Sequence, residues 1–424
     1  MVLFAFVSGV GWRGYADDEQ RMIGARIGPQ DHARQTPKAF ENATKIAPMK
    51  GWNMQSVQEN ALSPRQEVTA LPIYNAGISA STAQQVSGRQ DIAALASNEN
   101  PYGASPAVAT ALRSLVPSRY SDSASGALRQ ALSDKLGTAT DRIVCGNGSE
   151  ELIAALCRAY LQKDDTVLTI SPCFGLHEIE PMAAGAHVIK VPMTTAFDYD
   201  VDALVRELAR RPKIVFISSP SNPAGKALSL PELNRLLDAV QPATLFVLDE
   251  AYFELIDPGY PDGLKVLTQR LALSWVVLRT FSKAYGLAGL RVGYGISSDD
   301  SIAQAMRACL TTFNINAAAQ LAAVAALQDD GWTREASAKI RRDRAILADR
   351  LRELGVRVVP SQTNFLFIDV ATEAAPVASA LLQKGIIVKP WTEASYTNFL
   401  RVSIGTAGDN ERFVWELGRA LGMA

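Results

Sequence analysis

Short apolar runs rich in β-branched residues recur through the middle of the chain: Val167 to Ile170, His187 to Val191, Lys213 to Ser218, Thr244 to Leu248 and Trp275 to Leu278. Between several of them the apolar positions fall at helical spacing, as in Glu151 to Leu161 and Leu230 to Val240. Buried strands alternating with amphipathic helices predict an α/β fold, a mainly parallel sheet with helices on both faces. Ligands of such sheets gather at the carboxyl ends of the strands.

After about residue 330 the pattern changes. A long charged helix, Thr333 to Leu354, precedes the strand-like Val356 to Val370 and a helix over about Ala374 to Lys384. Strand-like Gly385 to Val388 and Leu400 to Ile404 follow, then a helix from about Asp409. This predicts a smaller α+β domain. Residues 1–68 lack sustained periodicity and are expected to form a poorly ordered extension, with Met54 a more sensible start of translation. The expected division is therefore that extension, an arm over 69–104, a large domain over 105–330 and a small domain over 331–424.

Composition narrows the function by exclusion. Forty-two basic and 43 acidic residues leave a formal net charge of −1, so no basic surplus exists to neutralise a nucleic-acid backbone. Cys145, Cys157, Cys173 and Cys309 form no CxxC pair, and His32, His177 and His187 have no metal-ligand spacing. The apolar start, Met1 to Val10, is short and follows no basic residue, and no later run is long enough to span a membrane. A cytoplasmic enzyme without a metal is the expectation.

Four segments carry candidate chemistry. In Thr280-Phe-Ser-Lys283-Ala-Tyr-Gly-Leu-Ala-Gly-Leu-Arg291, one lysine follows an apolar strand, with hydroxyls at Thr280 and Ser282 and a guanidinium at Arg291. In Phe246-Val-Leu-Asp249-Glu-Ala-Tyr252, a strand ends in a carboxylate with a phenol three residues on. Ser218-Ser-Pro-Ser-Asn222-Pro-Ala-Gly225 offers an amide held by two prolines. Cys145-Gly-Asn-Gly148-Ser149-Glu150 leads into a helix whose free N–H groups suit a phosphate. Alone, each has a bland reading: a surface lysine, a turn-capping acid, an ordinary turn, a simple helix cap. Together they supply what pyridoxal 5'-phosphate needs. Lys283 binds the aldehyde as a Schiff base, Asp249 keeps the pyridine nitrogen protonated, and Tyr252 and Asn222 reach the phenolic oxygen. Thr280, Ser282, Arg291 and the Gly148–Glu150 turn hold the phosphate. Arg401, between apolar strand residues in Phe399-Leu-Arg-Val-Ser-Ile-Gly405, is costly there unless an anion meets it.

These motifs, with Ala96-Ser-Asn-Glu-Asn100-Pro-Tyr-Gly103, resemble the fold-type-I aminotransferases of class I/II, and within them the histidinol-phosphate aminotransferases. The likeness runs from about Leu71 to the C-terminus. It implies a ping-pong exchange between L-histidinol phosphate and 2-oxoglutarate in histidine biosynthesis, with Lys283, Asp249 and Tyr252 catalytic. It also implies a homodimer with shared sites, Tyr120 reaching the neighbouring subunit's cofactor phosphate. Tyr74, Asn100, Asn222, Lys389 and Arg401 are the implied substrate contacts. Two positions depart from the family: Phe174 stands where a ring-stacking tyrosine is frequent, and Lys389 where a second phosphate-binding arginine is frequent. They leave open an aromatic amino-acid aminotransferase on the same scaffold, and more distantly a decarboxylase. A cofactor-binding transcription regulator would need a basic winged-helix segment ahead of the body, which residues 1–68 do not provide.

Overall fold

The computed structural model describes residues 62–72 and 77–423. Its strands are β1 (Ala93–Ala94), β2 (Ile143–Gly146), β3 (Thr166–Ser171), β4 (His187–Pro192), β5 (Ile214–Ser218), β6 (Leu245–Asp249) and β7 (Ser274–Thr280). They continue with β8 (Gly293–Ser297), β9 (Arg357–Val359), β10 (Phe365–Asp369), β11 (Ile386–Ile387), β12 (Lys389–Pro390) and β13 (Phe399–Ser403). Seven strands form the central sheet in the order β2-β8-β7-β6-β5-β3-β4. Only β8 runs against its neighbours there; the pairs from β7 through to β4 are parallel.

Strands β5 and β6 are buried at every position, and β7 at all but its first. That double-sided burial is what their unbroken apolar runs encode. Two separate apolar clusters cover the faces of the sheet, one including Leu168, Val215, Phe246 and Val277, the other Val167, Ile214, Val247 and Val276. Alternate residues of a strand point to opposite faces, so each strand feeds both clusters.

A four-stranded antiparallel sheet, β12-β13-β10-β9, follows the long helix Asp330–Glu353. Its own core contains Leu351, Leu366, Ile368, Leu400, Val402 and Phe413. The expected single strand over Val356–Val370 is broken in two, β9 ending at Val359 immediately before Pro360. The arm contributes β1, which pairs in parallel with β11. The stretch expected to be irregular up to residue 68 ends in a helical turn, Gln66–Thr69, beside which the Arg65 guanidinium donates to the Ala183 carbonyl at 2.6 Å. The proposed alternative start at Met54 lies outside the described residues. Among the described residues, no helix is long and apolar enough to cross a membrane.

Candidate active site

The carboxyl ends of β5, β6 and β7 stand side by side, Ser218 in register with Asp249 and Asp249 with Leu278. With the turn after β2 they enclose a cavity of about 270 Å³. Lys283, three residues beyond β7, enters it half-buried; its Nζ donates to the Ser97 carbonyl at 3.2 Å and lies 5.8 Å from the centre of the Tyr252 ring. Burial, reinforced by the Arg401 and Arg291 guanidinium groups, lowers its amine to about 8.

Asp249 ends β6 with 4% of its surface exposed. Its Oδ1 accepts from the Ala251 N–H at 3.0 Å, and its Oδ2 lies 3.1 Å from His177 Nε2. His177 belongs to the helix Leu176–Ala183 and is fully buried. Its ring stacks on Phe216 at 5.0 Å and meets Phe174 edge-on at 5.6 Å. The carboxylate is thus fixed from both oxygens. Asn98 Nδ2 donates to the Tyr252 hydroxyl oxygen at 3.0 Å. Asn98 has φ +55°, a conformation that asparagine tolerates, and its N–H donates to Ser403 Oγ at 2.8 Å.

At one end of the cavity the helix Ser149–Tyr160 starts from Gly148 with no side chain capping its free N–H groups. Gly148 has φ +78°, and a Cβ there would stand 2.7 Å from Arg291 Nη2, so the backbone and guanidinium meet only because the residue is glycine. Arg291 Nη2 also donates to Glu150 Oε2 at 3.2 Å. Thr280 and Ser282 face the cavity with their hydroxyl oxygens 3.0 Å apart. Open amides, two hydroxyls and a guanidinium form a donor set for an anion. In the loop between Lys283 and Arg291, Gly286 is required: at φ +70°, a Cβ would meet the Gly103 carbonyl oxygen at 2.1 Å. Gly289 has open space and no such need.

At the other end Arg401, 7% exposed on β13, donates from Nη1 to Asn222 Oδ1 at 2.8 Å and from Nη2 to the Ala96 carbonyl at 2.6 Å. Lys389 of β12 is its cross-strand partner, and burial followed by the Arg401 charge lowers that amine to about 8. Phe174 and Asn222 complete this wall. Residues 90–417 match the model of the aminotransferase class I and II family.

The chain belongs to that family. It is 41% identical over 360 residues to histidinol-phosphate aminotransferase 3 of Rhizobium meliloti (strain 1021), covering 83% of this chain and 96% of that one. Over 360 residues it is 40% identical to histidinol-phosphate aminotransferase 1 of Mesorhizobium japonicum, covering 84% and 98%. The crystal structure of histidinol-phosphate aminotransferase from Sinorhizobium meliloti in complex with pyridoxal-5'-phosphate superposes with a TM-score of 0.78 and 25% identity, covering 87% of this chain and 99% of that one.

Pyridoxal 5'-phosphate is the cofactor of this aminotransferase, and the cavity fits it. An amine lowered to about 8 stands between an anion-binding end and a buried carboxylate. One expected contact differs. Asn100 does not line the cavity: its amide donates to the Ala284 carbonyl at 2.9 Å and accepts from the Tyr102 N–H at 2.9 Å, so it ties the arm to the segment beside Lys283. Tyr120 is 84% exposed and stacks on Phe313 at 4.6 Å, away from this chain's cavity. Tyr74 lies outside the described residues. Sequence reasoning missed Asn98 and His177. Asn98 sits inside the Asn98–Gly103 motif and was within reach; His177 carried no signal beyond its position on an apolar helix.

Proposed function

We propose that this aminotransferase transfers the amino group of L-histidinol phosphate to 2-oxoglutarate, working as a cytoplasmic homodimer in which Tyr120 reaches the neighbouring site. The observation that carries the substrate is the pairing of Lys389 with Arg401 across β12 and β13 at the wall of the cavity. Two adjacent cations suit a phosphate dianion, whereas the α-carboxylate of an aromatic amino acid carries one charge. The relatives named for histidinol phosphate favour the same choice.

Bound here, pyridoxal phosphate supplies an aldehyde for the donor amine and a protonated ring that withdraws electrons from the substrate's α-carbon. Lys283 would hold the cofactor through its Nζ and, once freed as a neutral amine, would be the base that takes the proton from the substrate's α-carbon. Asp249, steadied by Ala251 and His177, holds a proton on the ring nitrogen. Tyr252 and the Asn222 amide donate to the ring's phenolic oxygen. The Gly148–Glu150 turn with Thr280, Ser282 and Arg291 would anchor the phosphate, and Phe174, on the cavity wall, would offer its face to the ring. Arg401 and Lys389 orient the substrate phosphate.

Steady-state rates with L-histidinol phosphate and with phenylalanine, each against 2-oxoglutarate, test this reading. The expected ratio of kcat/KM is at least about a hundredfold in favour of the phosphate, the scale of one charge-assisted contact pair. A preference for phenylalanine would contradict it.

A further inference from the structure

Beyond Arg401 and Lys389 the cavity opens into a lobe of about 190 Å³ whose outer wall is formed by Glu178, Ile179, Trp391 and Glu393. The lobe is electrically lopsided. Its inner end holds the two cations that face the substrate's anionic group. At its outer end Lys190 forms a direct ion pair of 2.9 Å with Glu178 and reaches Glu393 only as a weaker charge acting through space. Trp391 is held edge-on to Phe367 and donates from Nε1 to Glu393 Oε2 at 2.6 Å. Ser171 also hydrogen-bonds to this carboxylate. A carboxylate has about four acceptor positions, so these two donors leave room for a third. Burial raises the Glu393 carboxyl above the usual range, the mark of a charge short of water.

We propose that Glu393, positioned by Trp391, is the residue that selects the donor's imidazole ring. The inference rests on the histidinol-phosphate reading and sharpens it. A ring with an N–H can give the half-buried carboxylate a charge-assisted hydrogen bond while its faces lie against the aromatic wall. A phenyl ring of similar size fills the same space but leaves the carboxylate without that donor, and burying a charge without compensation is unfavourable. Discrimination therefore comes from rejecting the ring that cannot donate. Glu178 takes the lesser part, because Lys190 already meets its charge.

Two amine-free phosphates isolate this contact: 3-(imidazol-4-yl)propyl phosphate and 3-phenylpropyl phosphate, which differ only in the ring. Their dissociation constants are measured calorimetrically on the holoenzyme, for the natural chain and for Glu393→Gln and Glu178→Gln. The natural chain should bind the imidazole compound about tenfold more tightly or better. Glu393→Gln, which keeps an acceptor for Trp391, should remove most of that preference by weakening the imidazole compound alone. Glu178→Gln should change it less than about threefold. An unchanged preference in Glu393→Gln, or its loss in Glu178→Gln instead, overturns the assignment to Glu393. Failure of the natural chain to bind either phosphate would instead overturn the substrate reading beneath it.

Discussion

Lys283 shows how its surroundings shape one side chain. A lysine in water titrates near 10.5, and burial with two nearby guanidinium groups brings this one to about 8. The unfolded chain therefore binds a proton that the folded site releases earlier. Lys283 opposes folding fully below about pH 8, and the opposition fades as pH rises towards 10.5. In cofactor-free protein, acylation of Lys283 followed by mass spectrometry should rise with a midpoint near 8; a midpoint near 10.5 would remove its capacity to act as a base at neutral pH. Gly148 makes a second residue-scale case. Alanine there meets Arg291 Nη2 at 2.7 Å in a backbone conformation that side chains rarely adopt. Gly148→Ala should weaken cofactor binding about tenfold, read by fluorescence titration. Unchanged affinity would place the phosphate elsewhere.

At the scale of elements, the parallel strands were legible because burial on both faces writes a continuous apolar run. Strand β8 was not. It alternates Gly293 and Gly295 with larger residues, and the glycine at 293 is imposed by its neighbour: a Cβ would stand 2.5 Å from the Ser149 nitrogen. Close approach thus erased the β-forming residues that would have announced the strand. The four catalytic motifs were readable because each sits at a strand end or helix start, where local chemistry and fold coincide. His177 was not, because its partner Asp249 lies 72 residues away and only the packing of a helix on the sheet brings them together. The same applies to Arg279 of β7. Its guanidinium donates twice to Glu250, at 2.9 and 2.7 Å, and once to Asp262 at 2.8 Å, with both members of the first pair almost wholly buried. Glu250→Ala strands that charge and should cost about 3 kcal/mol in a urea denaturation series. A loss below about 1 kcal/mol would show that Asp262 alone suffices.

For the molecule as a whole, the central prediction is that one chain does not complete a site. Tyr120 and Phe313 form an exposed aromatic pair remote from this chain's own cofactor cavity. If Tyr120 serves the neighbouring site, mixing inactive Lys283→Ala subunits with impaired Tyr120→Ala subunits should restore activity in the mixed dimers. One site of each mixed dimer then contains both natural residues. Additive activity without recovery would argue for independent chains. The most direct test of the whole account is chemical. Borohydride reduction of the pyridoxal-phosphate-loaded protein, followed by proteolysis and peptide mapping, should leave the pyridoxyl label on Lys283. A label on any other lysine, or on none, would contradict the site assignment from which the proposed activity, the substrate contacts and the ring-selecting lobe all follow.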